Sequence, residues 1–172
     1  MNTRTDKHTA PELEVAAWLN TPAPLSLSAL RGKVIAVYAF QMLCPGCVSH
    51  GIPQAKKIRS VFPADQVEVL GLHTVFEHHA VMGAAALEAF IHEYRIDFPV
   101  GIDRPSDTGR IPRTMEKYQM RGTPTLLLID RQGVLRHQQF GMADDMQVGA
   151  RIAELLHETP AAPQCDDDGC QI

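Results

Sequence analysis

The chain has no apolar run long enough to cross a bilayer. Its longest, 34–40 and 80–87, fall well short of the ~20 residues a spanning helix needs. Nor does it have the opening of an exported protein: charges are scattered through the first fourteen residues, and the apolar stretch 15–19 is too short for a signal-peptide h-region. Cations are not in excess. Sixteen Lys and Arg stand against twenty Asp and Glu, a net charge of -4, which removes the electrostatic case for nucleic acid as a partner. Cysteine is scarce: four residues, at 44, 47, 165 and 170, in a chain expected to be cytoplasmic. In a reducing compartment a C-x-x-C pair points to catalysis or metal binding before a structural staple.

What is present is the composition of an ordinary folded domain, 45% hydrophobic and 21% charged, with 172 residues sufficient for one core. The segment 33–40, "KVIAVYAF", is apolar nearly throughout and suits a strand covered on both faces. Val48, Ile52, Ala55, Ile58 and Phe62 recur at helical spacing over 47–62, with Pro53 expected to bend that helix. A second buried strand follows at 67–75, a second helix at 84–96, a short strand at 98–103 and a brief helix at 112–119. "DRQG" is a turn signal inside 123–141, which reads as an antiparallel hairpin, and the acidic start of 144–157 predicts a closing helix. This order implies an α/β fold, a mixed sheet with helices on both faces. We divide the chain into an N-terminal extension (1–24), one domain (25–157) and a cysteine-bearing tail (158–172).

The chemistry centres on "LCPGCVSH", residues 43–50. A strand ending near Phe40 followed by a helix places Cys44 at a helix N-terminus, where unpaired backbone N–H groups favour an anion. Pro45 fits the first turn, since its missing N–H costs nothing there. Such a position favours thiolate at the first cysteine of a C-x-x-C motif, making Cys44 the expected nucleophile. Cys47, one turn on, is placed to attack a mixed disulfide on Cys44 and release the partner. A zinc or copper site would need further ligands, because two thiolates fill half of a tetrahedral shell. His73, His78 and His79, or Cys165 and Cys170, are the candidates, and a metal-delivery protein stays open as an alternative; we assign no metal ligand. "CDDDGC" at 165–170 has three readings: a relay dithiol for the main pair, a metal-binding arm, or an idle appendage.

Two stretches carry a family likeness. "GKVIAVYAFQMLCPGC" resembles the first strand and active-site turn of the thioredoxin superfamily, and "YQMRGTPTLLLIDRQGVL" resembles its second landmark, a Thr-Pro loop before a hairpin strand. The likeness runs from about Leu25 to Leu156. The extra helix and strand before the Thr-Pro loop resemble the αβ insertion of the redoxin group, which includes the TlpA-like thiol–disulfide reductases and, more distantly, the peroxiredoxins. The resemblance implies a thioredoxin-like mixed sheet and a thiol–disulfide oxidoreductase that reduces disulfide substrates with electrons from a thiol reductant, without organic cofactor. It also implies that Pro124 is cis beside the cysteines and that Pro45, Gly46, Thr123 and Pro124 meet the substrate. The chain departs from its relatives at three places. Val37 and Gln41 stand where peroxiredoxins carry a Pro and a hydroxyl residue, which ranks a peroxide-reducing, antioxidant role second. Tyr38 replaces the buried acid of thioredoxins and is expected in the core. His50 occupies the position of a reductase Glu, and its imidazole, with an unperturbed pKa near ~6.5, is the candidate proton acceptor for Cys47.

Overall fold

In the computed structural model, which describes residues 9–158, six strands form one mixed sheet in the order β1-β4-β3-β2-β5-β6. At its centre lies β2 (Val34–Phe40), with all seven residues buried, as its unbroken apolar sequence requires. It runs parallel to β3 (Val67–His73) and antiparallel to β5 (Thr125–Ile129). On one side β4 (Val100–Asp103) adds in parallel to β3, and on the other β6 (Leu135–Phe140) closes the hairpin with β5. Asp130 shapes that hairpin's turn: its Oδ1 accepts from the amides of Gln132 and Val134 at 3.0 and 2.8 Å.

Both faces of the sheet are covered. One carries α1 (Ile52–Val61), α2 (Ala84–Glu93) and α4 (Asp145–His157), which bury Ile52, Ile58, Leu87, Ile91, Val148 and Ile152 against Val34, Ala36, Phe40 and Val69. The other carries the short α3 (Arg113–Lys117), whose Met115 packs with Leu27, Tyr118 and Met120 over Ile35, Val37, Leu70 and Leu127. The alternation along β2, even-numbered side chains to one core and odd-numbered to the other, is the two-residue period of a strand.

The apolar run 15–19, too short for a leader, has a structural use: β1 (Val15–Leu19) is an edge strand antiparallel to β4. Part of the segment set aside above as an N-terminal extension therefore completes the sheet. The bend expected at Pro53 takes the form of a π-helical turn, Cys47–Gly51, just before α1. There the amide of Ile52 bonds to the carbonyl of Cys47, five residues back. Pro53 follows as the second residue of α1, inside the continuous helical run that begins at Pro45, and the π-turn accommodates the amide it cannot supply.

Candidate active site

The central strand β2 ends at Phe40, and the helical segment that follows begins at Pro45. Cys44 lies at that junction and is half-buried; Cys47, within the first turn, is fully buried. Both are free thiols. The backbone amide of Cys47 is shared between the Cys44 carbonyl, at 3.1 Å, and Cys44 Sγ, at 3.2 Å. A helix-terminal N–H thus points at the more accessible sulfur. Burial above all, and then a hydrogen bond with Cys44, push the Cys47 thiol up to about 12, so at neutral pH it holds its proton.

The loop ahead of β5 closes over the pair. The Thr123–Pro124 peptide bond is cis, and the Cys44 thiol donates to the Thr123 carbonyl at 3.5 Å. Pro124 packs on the dithiol helix at two glycines: a Cβ built on Gly46 would stand 3.4 Å from Pro124 Cδ, and one on Gly51 would stand 3.3 Å from Pro124 Cβ. The close approach explains why the helix is bare on this side. The sequence likeness had tied Cys44, Cys47, Pro45, Gly46, Thr123 and Pro124 to one site; all six meet here, with Pro45 exposed and Gly46 and Thr123 partly exposed.

His50 lies on the same turn and faces α4, where its Nε2 is 2.7 Å from the Ala143 carbonyl. A carbonyl only accepts, so Nε2 carries the hydrogen, and in the neutral ring Nδ1 is the basic nitrogen. Ala143 is also held by Gln54, whose Nε2 donates to that carbonyl at 2.8 Å and to Asp145 Oδ1 at 2.7 Å. Gln54 Oε1 in turn accepts from the buried Tyr38 hydroxyl at 2.6 Å, and Asp145 pairs with Lys57 at 2.6 Å. Lys57 first, then Gln54, hold the Asp145 carboxyl below the ordinary carboxylate range, while burial pushes the Tyr38 phenol up. The core position expected for Tyr38 is thus observed, and its hydroxyl has a partner. Sequence reasoning overlooked Gln54, Ala143 and Asp145. The one available signal was a glutamine beside Ala55 and one turn before Ile58, on the helix's inward side.

The histidines at the end of β3 and in the loop beyond it form no metal site with the thiols. His73 is buried against Phe40, ring centroids 5.3 Å apart, and its Nε2 has no hydrogen-bond partner. Burial lowers its pKa to about 4. His78 and His79 are exposed. Among the described residues no group of three or more His, Cys, Asp or Glu side chains is placed to hold a metal ion. Cys165 and Cys170 lie outside the described residues.

A thioredoxin-like sheet ending in a half-exposed Cys44, a buried Cys47 and a cis-proline loop places the chain in the redoxin group of the thioredoxin superfamily. Residues 7–138 match the AhpC/TSA family, and the chain belongs to it. It is similar to a crystallised thioredoxin-like superfamily protein, with 60% identity and a TM-score of 0.86 over 88% of this chain and 97% of the other. A thiol-disulfide isomerase from Corynebacterium glutamicum is 52% identical, with a TM-score of 0.84 over 87% and 98% of the two chains. Protein DipZ of Mycobacterium tuberculosis is 30% identical over 159 residues, covering 87% of this chain; the chain spans only 21% of DipZ's length. No helix among the described residues is long and apolar enough to cross a membrane.

Proposed function

We propose that the protein reduces disulfides through the CPGC dithiol. Cys44 attacks a substrate disulfide as the thiolate, forming a mixed disulfide; Cys47 then attacks Cys44 Sγ, the reduced product leaves, and Cys44–Cys47 is oxidised until an external thiol reductant restores it. The observation that carries this reading is the asymmetry of the pair: Cys44 accessible, next to the Thr123 carbonyl and facing a helix amide, Cys47 buried one turn away. The backbone of Thr123 receives the incoming chain beside Pro45, Gly46 and Pro124. His50, with Nε2 engaged by Ala143, supplies Nδ1 as acceptor for the proton Cys47 must lose. We propose reduction as the direction, together with a cytoplasmic location; the redox potential of the Cys44–Cys47 pair and cell fractionation check the two.

Two features favour disulfides over peroxide. A hydroxyl residue is absent from the position of Gln41, and the Gln41 amide is engaged, accepting from the Phe76 amide and donating to Glu77, both at 3.3 Å. The test is insulin reduction with dithiothreitol as electron source. Acceleration that vanishes in Cys44→Ser supports the proposal; peroxide consumption surviving Cys47→Ser, or tight stoichiometric copper without turnover, contradicts it.

A further inference from the structure

The mouth of the dithiol has a rim with a distinct chemistry. Leu43 precedes Cys44 and is 59% exposed; Phe140 and Met142, on the strand and loop behind Thr123, are 48% and 67% exposed. They belong to one surface: the Gly141 amide bonds to the Pro124 carbonyl at 2.8 Å, and the Phe140 ring lies against Gly122, where a Cβ would come within 2.8 Å of it. Above that ring, 5.7 Å from its centroid, stands the Arg121 guanidinium, which has no carboxylate partner among the described residues. The rim is therefore apolar with one unneutralised cation, two residues from the carbonyl that faces Cys44.

The sequence supplies a complementary occupant. Asp166, Asp167 and Asp168 bring three negative charges flanked by Cys165 and Cys170. Whether they reach is a matter of chain length. The C-terminal end of α4 is at the far end of the sheet, where Leu156 and His157 lie near Gly32 and Gln66 and the Glu158 carbonyl accepts from Arg131 at 2.9 Å. Its N-terminal end is at the site, where Ala143 meets His50. Returning along this 13-residue helix takes ~20 Å, with the loop to Thr123 still to cross. Cys165 is seven residues beyond Glu158 and extends at most ~25 Å; Cys170 is twelve beyond and extends to ~40 Å. Only the second has slack.

Building on the function proposed above, we propose that the Cys165–Cys170 segment docks on this rim and serves as a relay dithiol for Cys44–Cys47, with Cys170 the thiol that reaches Cys44. The Cys170 thiolate attacks Cys44 Sγ of the oxidised pair; the Cys44–Cys47 bond breaks and Cys47 leaves with both bonding electrons and takes up a proton. Cys165 then attacks Cys170 Sγ and displaces the Cys44 thiolate. Two electrons have passed from tail to core, leaving a Cys165–Cys170 disulfide for an external dithiol to reduce. Tethering makes the first attack intramolecular, with an effective concentration that a free thiol lacks.

The experiment uses full-length protein with two cysteines retained. Cys47→Ser/Cys165→Ser keeps Cys44 and Cys170; Cys47→Ser/Cys170→Ser keeps Cys44 and Cys165. Each is oxidised at low ionic strength and mapped by non-reducing peptide mass spectrometry. The relay predicts a Cys44–Cys170 bond within the monomer, formed at a rate independent of protein concentration and about tenfold faster than Cys44–Cys165. Arg121→Glu, or salt near ~1 M, should slow it about fivefold. A linkage whose rate scales with concentration identifies a second copy's tail and overturns the proposal, as does equal speed for the two cysteines or indifference to Arg121. If the wild type reduces insulin while no linkage forms, the relay alone falls; if Cys44 is inert and insulin is untouched, the proposed function falls with it.

Discussion

The amide of Cys47 points at Cys44 Sγ across 3.2 Å, so the residue that supplies the buried thiol also helps hold the exposed one as an acceptor. Access and hydrogen bonding favour the same sulfur. In the reduced protein at neutral pH, iodoacetamide should modify Cys44 well before Cys47, and Cys44→Ser should remove rapid labelling of the Cys44–Cys47 peptide and all disulfide turnover. Peptide mapping of a short alkylation time course reads both.

His50 should matter through its free nitrogen. With Nε2 on Ala143, a His50→Gln variant keeps a donor but loses the base. Release of product from the mixed disulfide should slow by about tenfold or more, while alkylation of Cys44 keeps its rate. An unchanged release rate would reduce His50 to packing.

Among the described residues the Tyr38 hydroxyl is the one donor to Gln54 Oε1, and both groups are buried. Tyr38→Phe leaves that oxygen desolvated without a partner, a cost of about 1–3 kcal/mol in a urea titration. Since Tyr38 touches neither sulfur by any hydrogen bond in the structure, alkylation of Cys44 should keep its rate.

His73 makes stability depend on acid. Its folded pKa is about 4 against an ordinary 6.5, so below 6.5 the unfolded chain takes a proton that the folded chain refuses. The stabilisation is present above pH 6.5 and is lost as the pH falls toward 4, by about 3 kcal/mol over the window. Asp103, whose carboxyl burial raises, acts on stability in the opposite sense, so the comparison must be made against a variant. His73→Leu should flatten the wild type's decline in urea midpoint between pH 7 and 4.5.

How far the sequence carried this picture can be traced residue by residue. Val34–Phe40 was legible because a strand buried on both faces has no polar position to disguise it. The Cys44–Cys47 pair and the Thr123–Pro124 loop were legible as motifs. Val15–Leu19 was not: as an edge strand with a bulge between Val15 and Ala17 and a half-exposed face, it shows neither alternation nor continuous burial. The π-turn before Pro53 was visible only as a bend, since a missing amide says that the ladder is interrupted and not how the chain absorbs it. The partnership of His50, Gln54 and Ala143 joins residues about ninety positions apart, set by how α4 docks on α1, and no local pattern encodes it. The unpartnered Nε2 of His73 has the same origin: packing, not sequence, decides which polar atom is left alone.

The central claim is that Cys44 attacks and Cys47 resolves. Mixing reduced Cys47→Ser/Cys165→Ser/Cys170→Ser protein with a cystine-containing peptide and mapping the product tests it most directly. The account predicts a stable one-to-one adduct through Cys44, absent from wild type, which should release the peptide and become oxidised at Cys44–Cys47. No adduct, with Cys44 free and unmodified, or an adduct that persists once Cys47 is restored, would contradict it.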